Sequence, residues 1–158
     1  MLSQIKKIFF FILFSSFLPT SLLARNLVIK SLGHSSFLIN GAEKSILINP
    51  FKATGCASNL KEPKAVNADF ILASSRLLDE GYNPNDQLMF VEPGNYKFDD
   101  MLFNGIAVPH DRVGGRRFGM ATVWSWEQND LKIVHMGGAA GDIDINSQII
   151  LSLSLIHI

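Results

Sequence analysis

The sequence predicts a single strand-rich domain, and three features of its 158 residues support that prediction. The hydrophobic content of 47% against 18% charged residues is enough for a core of ordinary size and excludes a disordered chain. Short runs of β-branched and aromatic residues alternate with Gly, Pro and Asn turn signals. Helical periodicity is poor throughout, and only the stretch around residues 76–81 predicts the start of a helix.

Residues 1–24 precede this domain and predict a secretory signal peptide. Lys6 and Lys7 lead into an apolar run, 8–18, and Ala24 provides a small residue at the expected cleavage point. The apolar run is well short of the roughly 20 residues that span a bilayer. We therefore expect export to the periplasm or beyond the cell, with no stable membrane span after signal removal. The alternative is an uncleaved signal anchor.

The predicted strands follow in order after Arg25. Asn40-Gly41 signals a hairpin between the second and third strands, and the almost entirely apolar fourth strand suits burial on both faces. Trp124 and Trp126 alternate on one strand, so both are expected to pack into the core. The predicted strands cover 26–30, 36–39, 45–48, 68–73, 88–91, 102–108, 122–126 and 131–135.

Charge and cysteine usage narrow the possible partners and cofactors. Fourteen basic residues balance fourteen acidic ones, which gives no reason to expect a nucleic-acid partner. The single cysteine, Cys56, excludes an intramolecular disulfide framework and a cysteine-rich zinc site. A Gly-rich loop carries Arg112, Arg116 and Arg117, whose guanidinium groups suit a phosphate or carboxylate, although a solvated basic loop is an alternative. No particular small-molecule substrate is indicated.

Five segments follow one another along the chain: GHSSFLI at 33–39, ILINPF at 46–51, ADFILA at 68–73, VPHD at 108–111 and LKIVHMGG at 131–138. In this order they resemble the metallo-β-lactamase superfamily, in its lactonase-like and phospholipase-D-like hydrolase branch. The resemblance implies an α+β fold, a four-layer αββα sandwich. A complete sandwich is larger than this chain, so residues 25–152 are expected to form its N-terminal half only. Residues 153–158 resemble a translated sequencing-library adapter and are expected to be a non-native tail.

The family's metal motif is altered in this chain. Its T-H-x-H-x-D-H pattern falls on residues 74–80, where the three histidine positions hold Ser75, Leu77 and Glu80. Gly138 stands where the family has a bridging aspartate, and Asn49 stands for the aspartate of I-L-I-D-P. A catalytic zinc needs about three protein ligands, so the resemblance implies that the ordinary metal centre is missing.

A reduced set of candidate site residues remains. Asp79 and His110 keep family metal positions, and Glu80 is a third candidate beside them. His34 and Arg116 are candidates for substrate binding by their place in the resemblance and by charge. A sheet-end histidine that hydrogen-bonds backbone is the alternative role for His34 and the expected one for His135.

Three interpretations of function stay open at this point. The first is an exported, hydrolase-like protein of the metallo-β-lactamase fold that has lost its metal site and its catalysis, with no cofactor. The second is a hydrolase of lactone, phosphodiester or ester substrates with an altered single-metal site at Asp79, Glu80 and His110. Such a site would hold zinc or another divalent ion, and its carboxylates would favour Mn²⁺ or Mg²⁺. The third is a truncated gene fragment.

Overall fold

The computed structural model describes residues 26–42, 44–64, 66–152 and 156–157. The predicted signal peptide, 1–24, lies outside the described residues. Of the predicted non-native tail, only the backbone of residues 156–157 is described.

Five strands form the first sheet, in the order in which they occur along the chain. Its first three strands are antiparallel neighbours, whereas the last two continue parallel to the third. The loop between the third and fourth strands holds one short 3-10 turn, Gly55–Ala57. The strands are β1 (Val28–Gly33), β2 (Ser36–Asn40), β3 (Ser45–Ile48), β4 (Phe70–Leu72) and β5 (Met89–Phe90).

Five further strands form the second sheet, with the last strand at one edge and the first at the other. Four strands form an antiparallel meander. A short fifth strand pairs in parallel with the last strand of the meander. The strands are β6 (Gly94–Phe98), β7 (Met101–Pro109), β8 (Met120–Gln128), β9 (Leu131–His135) and β10 (Ile156–His157), in the order β10-β9-β8-β7-β6. The α-helix α1 (Ile145–Ser152) lies between β9 and β10 in sequence. The predicted strand-rich architecture is therefore confirmed.

The two sheets pack face to face over an aromatic interior. Alternation along β3 turns Ile46 and Ile48 inward while Leu47 faces the other way. Phe70 of the first sheet stacks on Phe103 of the second with ring centroids 5.2 Å apart. The indole of Trp124 also donates a hydrogen bond of 2.9 Å to the Ala73 carbonyl, across the sheets. The buried cluster comprises Ile39, Ile46, Ile48, Phe70, Leu72, Phe103, Trp124, Trp126 and Ile133.

Each sheet also buries part of its outer face. Leu151 of α1 packs with Val123 and Val134 on the outside of the second sheet. On the first sheet, Leu47 and Ile71 are covered by neighbouring loop residues. Among the described residues, no helix combines the length and apolar character needed to cross a bilayer.

The helix expected around 76–81 is a hydrogen-bonded turn instead. The backbone N–H groups of Glu80 and Gly81 both donate to the Leu77 carbonyl, which closes the segment within one turn. A Cβ at Gly81 would overlap the Ser75 carbonyl, so the chain folds back too tightly for a helix to continue. Strand β6 and helix α1 are additions that the sequence patterns did not predict.

Candidate functional site at the strand ends

The carboxyl ends of four strands meet at one end of the sandwich and carry most of the predicted site residues. β3 and β4 run parallel in the first sheet, and β7 and β9 share a direction in the second because both are antiparallel to β8. The residues that follow these strands therefore converge. They are Asn49 after β3, Ser74 and Ser75 after β4, His110 after β7, and Gly137 and Gly138 after β9.

Asn49 is fully buried at this end and has all its amide groups paired. Its Nδ2 donates to Oγ of Ser35 at 3.1 Å and to Oγ of Ser74 at 2.8 Å. Its Oδ1 accepts from the Ser74 backbone N–H at 2.7 Å. The backbone of Asn49 is left-handed, with φ of 42°, which asparagine tolerates better than most residues. The neutral amide of Asn49 therefore fits this position, because its two donors and its carbonyl oxygen all have partners here.

Glu80 and His110 form the second polar group of the site. Oε2 of Glu80 accepts a hydrogen bond from Oγ of Ser75 at 3.1 Å and lies 3.4 Å from Nε2 of His110. Both side chains are about nine-tenths buried. Nδ1 of His110 is buried with no hydrogen-bond partner among the described residues. The carboxylate therefore orients the imidazole and is itself held by a hydroxyl.

Gly138 closes the site from the second sheet. A Cβ built on Gly138 would overlap Nε2 of His110 and lie 2.7 Å from Oε1 of Glu80. The φ of Gly138 lies outside the left-handed region, so the backbone would accept any residue. The obstruction is therefore steric, and a side chain at position 138 would require the His110 ring to move. The imidazole of His110 occupies the volume through which the side chain of residue 138 would have to pass.

Asp79 takes a different direction from Glu80, its neighbour in sequence. Its Oδ2 accepts a hydrogen bond of 3.0 Å from the backbone N–H of Cys56, at the 3-10 turn. A Cβ at Gly55 would lie 2.6 Å from the same oxygen. The structure thus brings Glu80 and His110 together but engages the Asp79 carboxylate in the loop that follows β3.

The structure confirms the expected backbone role for His135 and places His34 at the surface. His34 is exposed in the turn after β1, where its ring meets Phe51 edge-on at 5.8 Å. His135 is buried, and its Nε2 lies 3.1 Å from the Ser35 carbonyl. Burial lowers the pKa of His135 to about 4, against the weaker opposing effect of that hydrogen bond. His135, neutral at pH 7, therefore donates to the backbone of the other sheet.

Asp111 organises the Gly-rich loop that follows His110, a role that sequence reasoning missed. Its two carboxylate oxygens accept four backbone N–H groups, at 2.8 to 3.0 Å. Burial alone would raise the pKa of Asp111, but these four hydrogen bonds outweigh it and lower the pKa to about 2. An aspartate just before a Gly-Gly pair is the sequence signal for such a turn. Arg116, a predicted binding residue, is exposed on this loop.

Comparison with known proteins identifies the family. Residues 28–153 match the sequence profile of the Beta-lactamase superfamily domain. The chain belongs to the metallo-β-lactamase superfamily. No protein of curated function matches it in sequence.

A solved structure of the superfamily shares the fold with this chain. A Thermotoga maritima protein, proposed to be a zinc-dependent hydrolase of the metallo-β-lactamase superfamily, matches with a TM-score of 0.50 and 20% identity. The match covers 71% of this chain and 50% of that protein. A proposed metal-dependent hydrolase from Parabacteroides distasonis gives a TM-score of 0.49 and 12% identity, over 70% and 60% of the two chains. The chain thus spans about half to three fifths of the length of these structures.

The superfamily implies a metal centre, and the residues at its position do not fit one. Leu77 has no donor atom, and the hydroxyl of Ser75 is engaged by Glu80. Gly138 contributes no side chain, and His110 fills the space beside it. Within the described part of the chain, no three His, Cys, Asp or Glu side chains are grouped so that they could hold an ion. Glu80 and His110 alone are fewer than the three protein ligands of a catalytic zinc.

Proposed function

We propose that this chain is an exported metallo-β-lactamase-fold protein that has lost the hydrolytic metal centre and acts as a non-catalytic binding module. The observation that carries the proposal is the contact at position 138. Loss of a ligand alone would leave an open pocket. Here His110 lies where a side chain at position 138 would project, and Glu80 lies beside it.

The chemistry of the remaining polar groups supports the same proposal. Each donor of Asn49 has an acceptor, and the Glu80 carboxylate is shared between a hydroxyl and an imidazole. Buried polar groups that are paired in this way stabilise one arrangement of the side chains. Breaking any of these hydrogen bonds would leave a buried polar group without a partner, which costs free energy. Ser75 donates to a carboxylate, which is a weaker base than the imidazole that commonly activates a serine nucleophile.

Metal content and activity of the full-length protein test this proposal together. We expect no stoichiometric zinc by elemental analysis and no turnover of lactone, phosphodiester or β-lactam substrates with added zinc. His110→Ala and Asp79→Ala should leave both results unchanged. Stoichiometric zinc that disappears in His110→Ala would contradict the proposal.

A second candidate function is a hydrolase with one metal ion held by Asp79, Glu80 and His110. The observation in its favour is the 3.4 Å separation of Oε2 of Glu80 and Nε2 of His110. Two donors that bind one tetrahedral ion at about 2.1 Å are roughly 3.4 Å apart. This candidate requires Asp79 to leave the Cys56 backbone. It predicts hydrolysis that depends on Mn²⁺, Mg²⁺ or zinc and is lost in Glu80→Gln and Asp79→Ala, but not in the exposed control Glu127→Gln.

Export is the remaining part of the proposal. It rests on the order of basic, apolar and small residues in 1–24. Mass spectrometry of the protein recovered outside the cytoplasm should give a chain that begins near Arg25. A mature protein that still begins at Met1 would contradict cleavage and favour the anchored alternative.

A further inference from the structure

We propose that residues 112–120, here called the arginine loop, attach the protein to an anionic phospholipid surface. The proposal rests on the loop's rigid backbone, its exposed side chains and the charge of the rest of the chain. It does not depend on whether Glu80 and His110 hold a metal ion.

The backbone of the arginine loop is fixed from within. The Asp111 carboxylate accepts the N–H groups of residues 113, 115, 117 and 118. The Gly119 N–H donates to the Gly115 carbonyl, and the Gly119 carbonyl accepts from His110. Gly114, Gly115 and Gly119 have positive φ, which permits this compact shape. A preformed loop loses little conformational entropy when its side chains bind a partner.

The side chains that the loop presents combine positive charge with apolar surface. Arg112, Arg116 and Arg117 are exposed. Between and beside them Val113, Phe118 and Met120 are 41%, 55% and 50% exposed. Arginines that alternate with exposed apolar side chains suit a lipid surface, where the guanidinium groups meet phosphates and the apolar groups enter the acyl boundary.

The positive charge is concentrated in this loop. Eleven basic residues follow Arg25, and three of them lie within 112–117, whereas all fourteen acidic residues of the chain also follow Arg25. The remainder of the domain is therefore acidic. An acidic domain is repelled by an anionic membrane except at a local basic patch, so the loop determines which face approaches the surface.

A lipid surface explains the loop better than a single bound anion does. A phosphate-binding loop offers free backbone N–H groups to its ligand. Here four of those groups already donate to Asp111, so the exposed side chains are the main groups that can meet a partner. A single bound anion would also leave the apolar ring of Phe118 exposed to water, whereas a lipid surface would bury it.

Vesicle binding of the full chain tests the proposal. The test variant replaces Arg112, Arg116 and Arg117 with Gln, and the matched control replaces the exposed Lys30, Lys61 and Lys64 with Gln, so both lose three charges. On phosphatidylcholine vesicles that contain phosphatidylglycerol, the arginine variant should bind roughly a hundredfold more weakly, at about fivefold for each basic residue. The lysine control should bind nearly as well as the original chain. Equal losses in both variants would overturn the proposal.

A local readout separates the loop from other parts of the chain, including the apolar residues 8–18. Phe118→Trp places an indole on the loop, and its emission should shift to the blue and be quenched by brominated lipid on anionic vesicles. Vesicles of phosphatidylcholine alone should produce neither change, and soluble glycerol phosphate should not compete. The emission of the original chain, which contains the buried Trp124 and Trp126, is subtracted. If the remaining emission of the added indole is unquenched on vesicle-bound protein, or if glycerol phosphate displaces the protein, the assignment to a lipid surface is overturned.

Discussion

The interior of the sandwich and its polar end differ in the interactions that hold them together. In the interior, Phe70, Phe103 and Trp124 belong to one buried cluster between the sheets. At the strand ends, the positions that carry the family's metal chemistry hold Asn49, Ser75 and Gly138 instead. The interior thus has the apolar packing of a two-sheet sandwich, whereas the strand ends have a hydrogen-bonded polar network.

This difference indicates that the stability of the fold does not depend on the residues at the strand ends that would carry the chemistry. The interior stabilises the two sheets through buried apolar area, which does not depend on any metal ligand. The strand ends need only satisfied hydrogen bonds to be compatible with that interior, and the Asn49 and Glu80 networks provide them.

The largest effect is expected from the interior. Trp124→Ala removes a fully buried indole and its hydrogen bond to the Ala73 carbonyl, so the free energy of unfolding should fall by about 3–5 kcal/mol. Urea unfolding measures the change. The control Leu102→Ala removes a side chain that is 67% exposed and should change stability little. If Trp124→Ala lowers the free energy of unfolding only slightly, the interior is not the region that stabilises the fold.

The next effect is a loss of stability in mild acid caused by His135. Its pKa is lowered to about 4 in the folded protein, so the unfolded chain binds a proton first as the pH falls below 6.5. The free energy of unfolding should therefore fall between pH 6.5 and pH 4, by up to about 3 kcal/mol. The carboxylate of Asp111, with a pKa of about 2, contributes only below about pH 3.8.

Urea unfolding at several pH values checks this slope. His135→Gln keeps a donor for the Ser35 carbonyl and should flatten the pH dependence in this window. The matched control His34→Gln changes an exposed histidine on the neighbouring turn and should leave the slope intact. A slope that persists in His135→Gln would show that another group is responsible.

A smaller effect tests whether the strand ends are closed. Gly138→Ala introduces a Cβ that overlaps Nε2 of His110, so we expect a loss of about 1–3 kcal/mol through overpacking. In the double variant with His110→Ala, most of this cost should disappear, because the obstructing ring is gone. The free energies of the four proteins in this cycle decide the point. Additive effects would mean that His110 does not occupy the space at position 138.

The fold was more predictable from the sequence than the arrangement of the site. Apolar runs such as 68–73 and the alternation of Trp124 and Trp126 predict buried strands, and the structure places them in the core. β6 escaped prediction because its residues, Gly94–Phe98, are partly polar and follow a Pro-Gly turn signal. The helix α1 was missed because Ile145 and Ile149 are exposed and blur its periodicity, although Asp144 caps its first turn.

The geometry of the candidate site depends on the directions in which strands and side chains from distant parts of the sequence point, and local sequence patterns do not specify these directions. Glu80 and His110 meet only because β4 and β7 end at the same end of two facing sheets. Asp79 and Glu80 are adjacent in sequence, yet one carboxylate binds the Cys56 backbone and the other faces His110. The turn at residues 77–81 determines the different directions of these two carboxylates, and the sequence predicted the start of a helix there.

Unfolding of the full chain with and without zinc tests the central claim most directly. A ligand that binds only the folded protein at 100 times its Kd adds about 2.7 kcal/mol to the free energy of unfolding. We predict the same free energy of unfolding in EDTA and in excess zinc, for the original chain and for His110→Ala alike. An increase of that size in zinc, absent in His110→Ala, would contradict the account and establish a working metal site at Glu80 and His110.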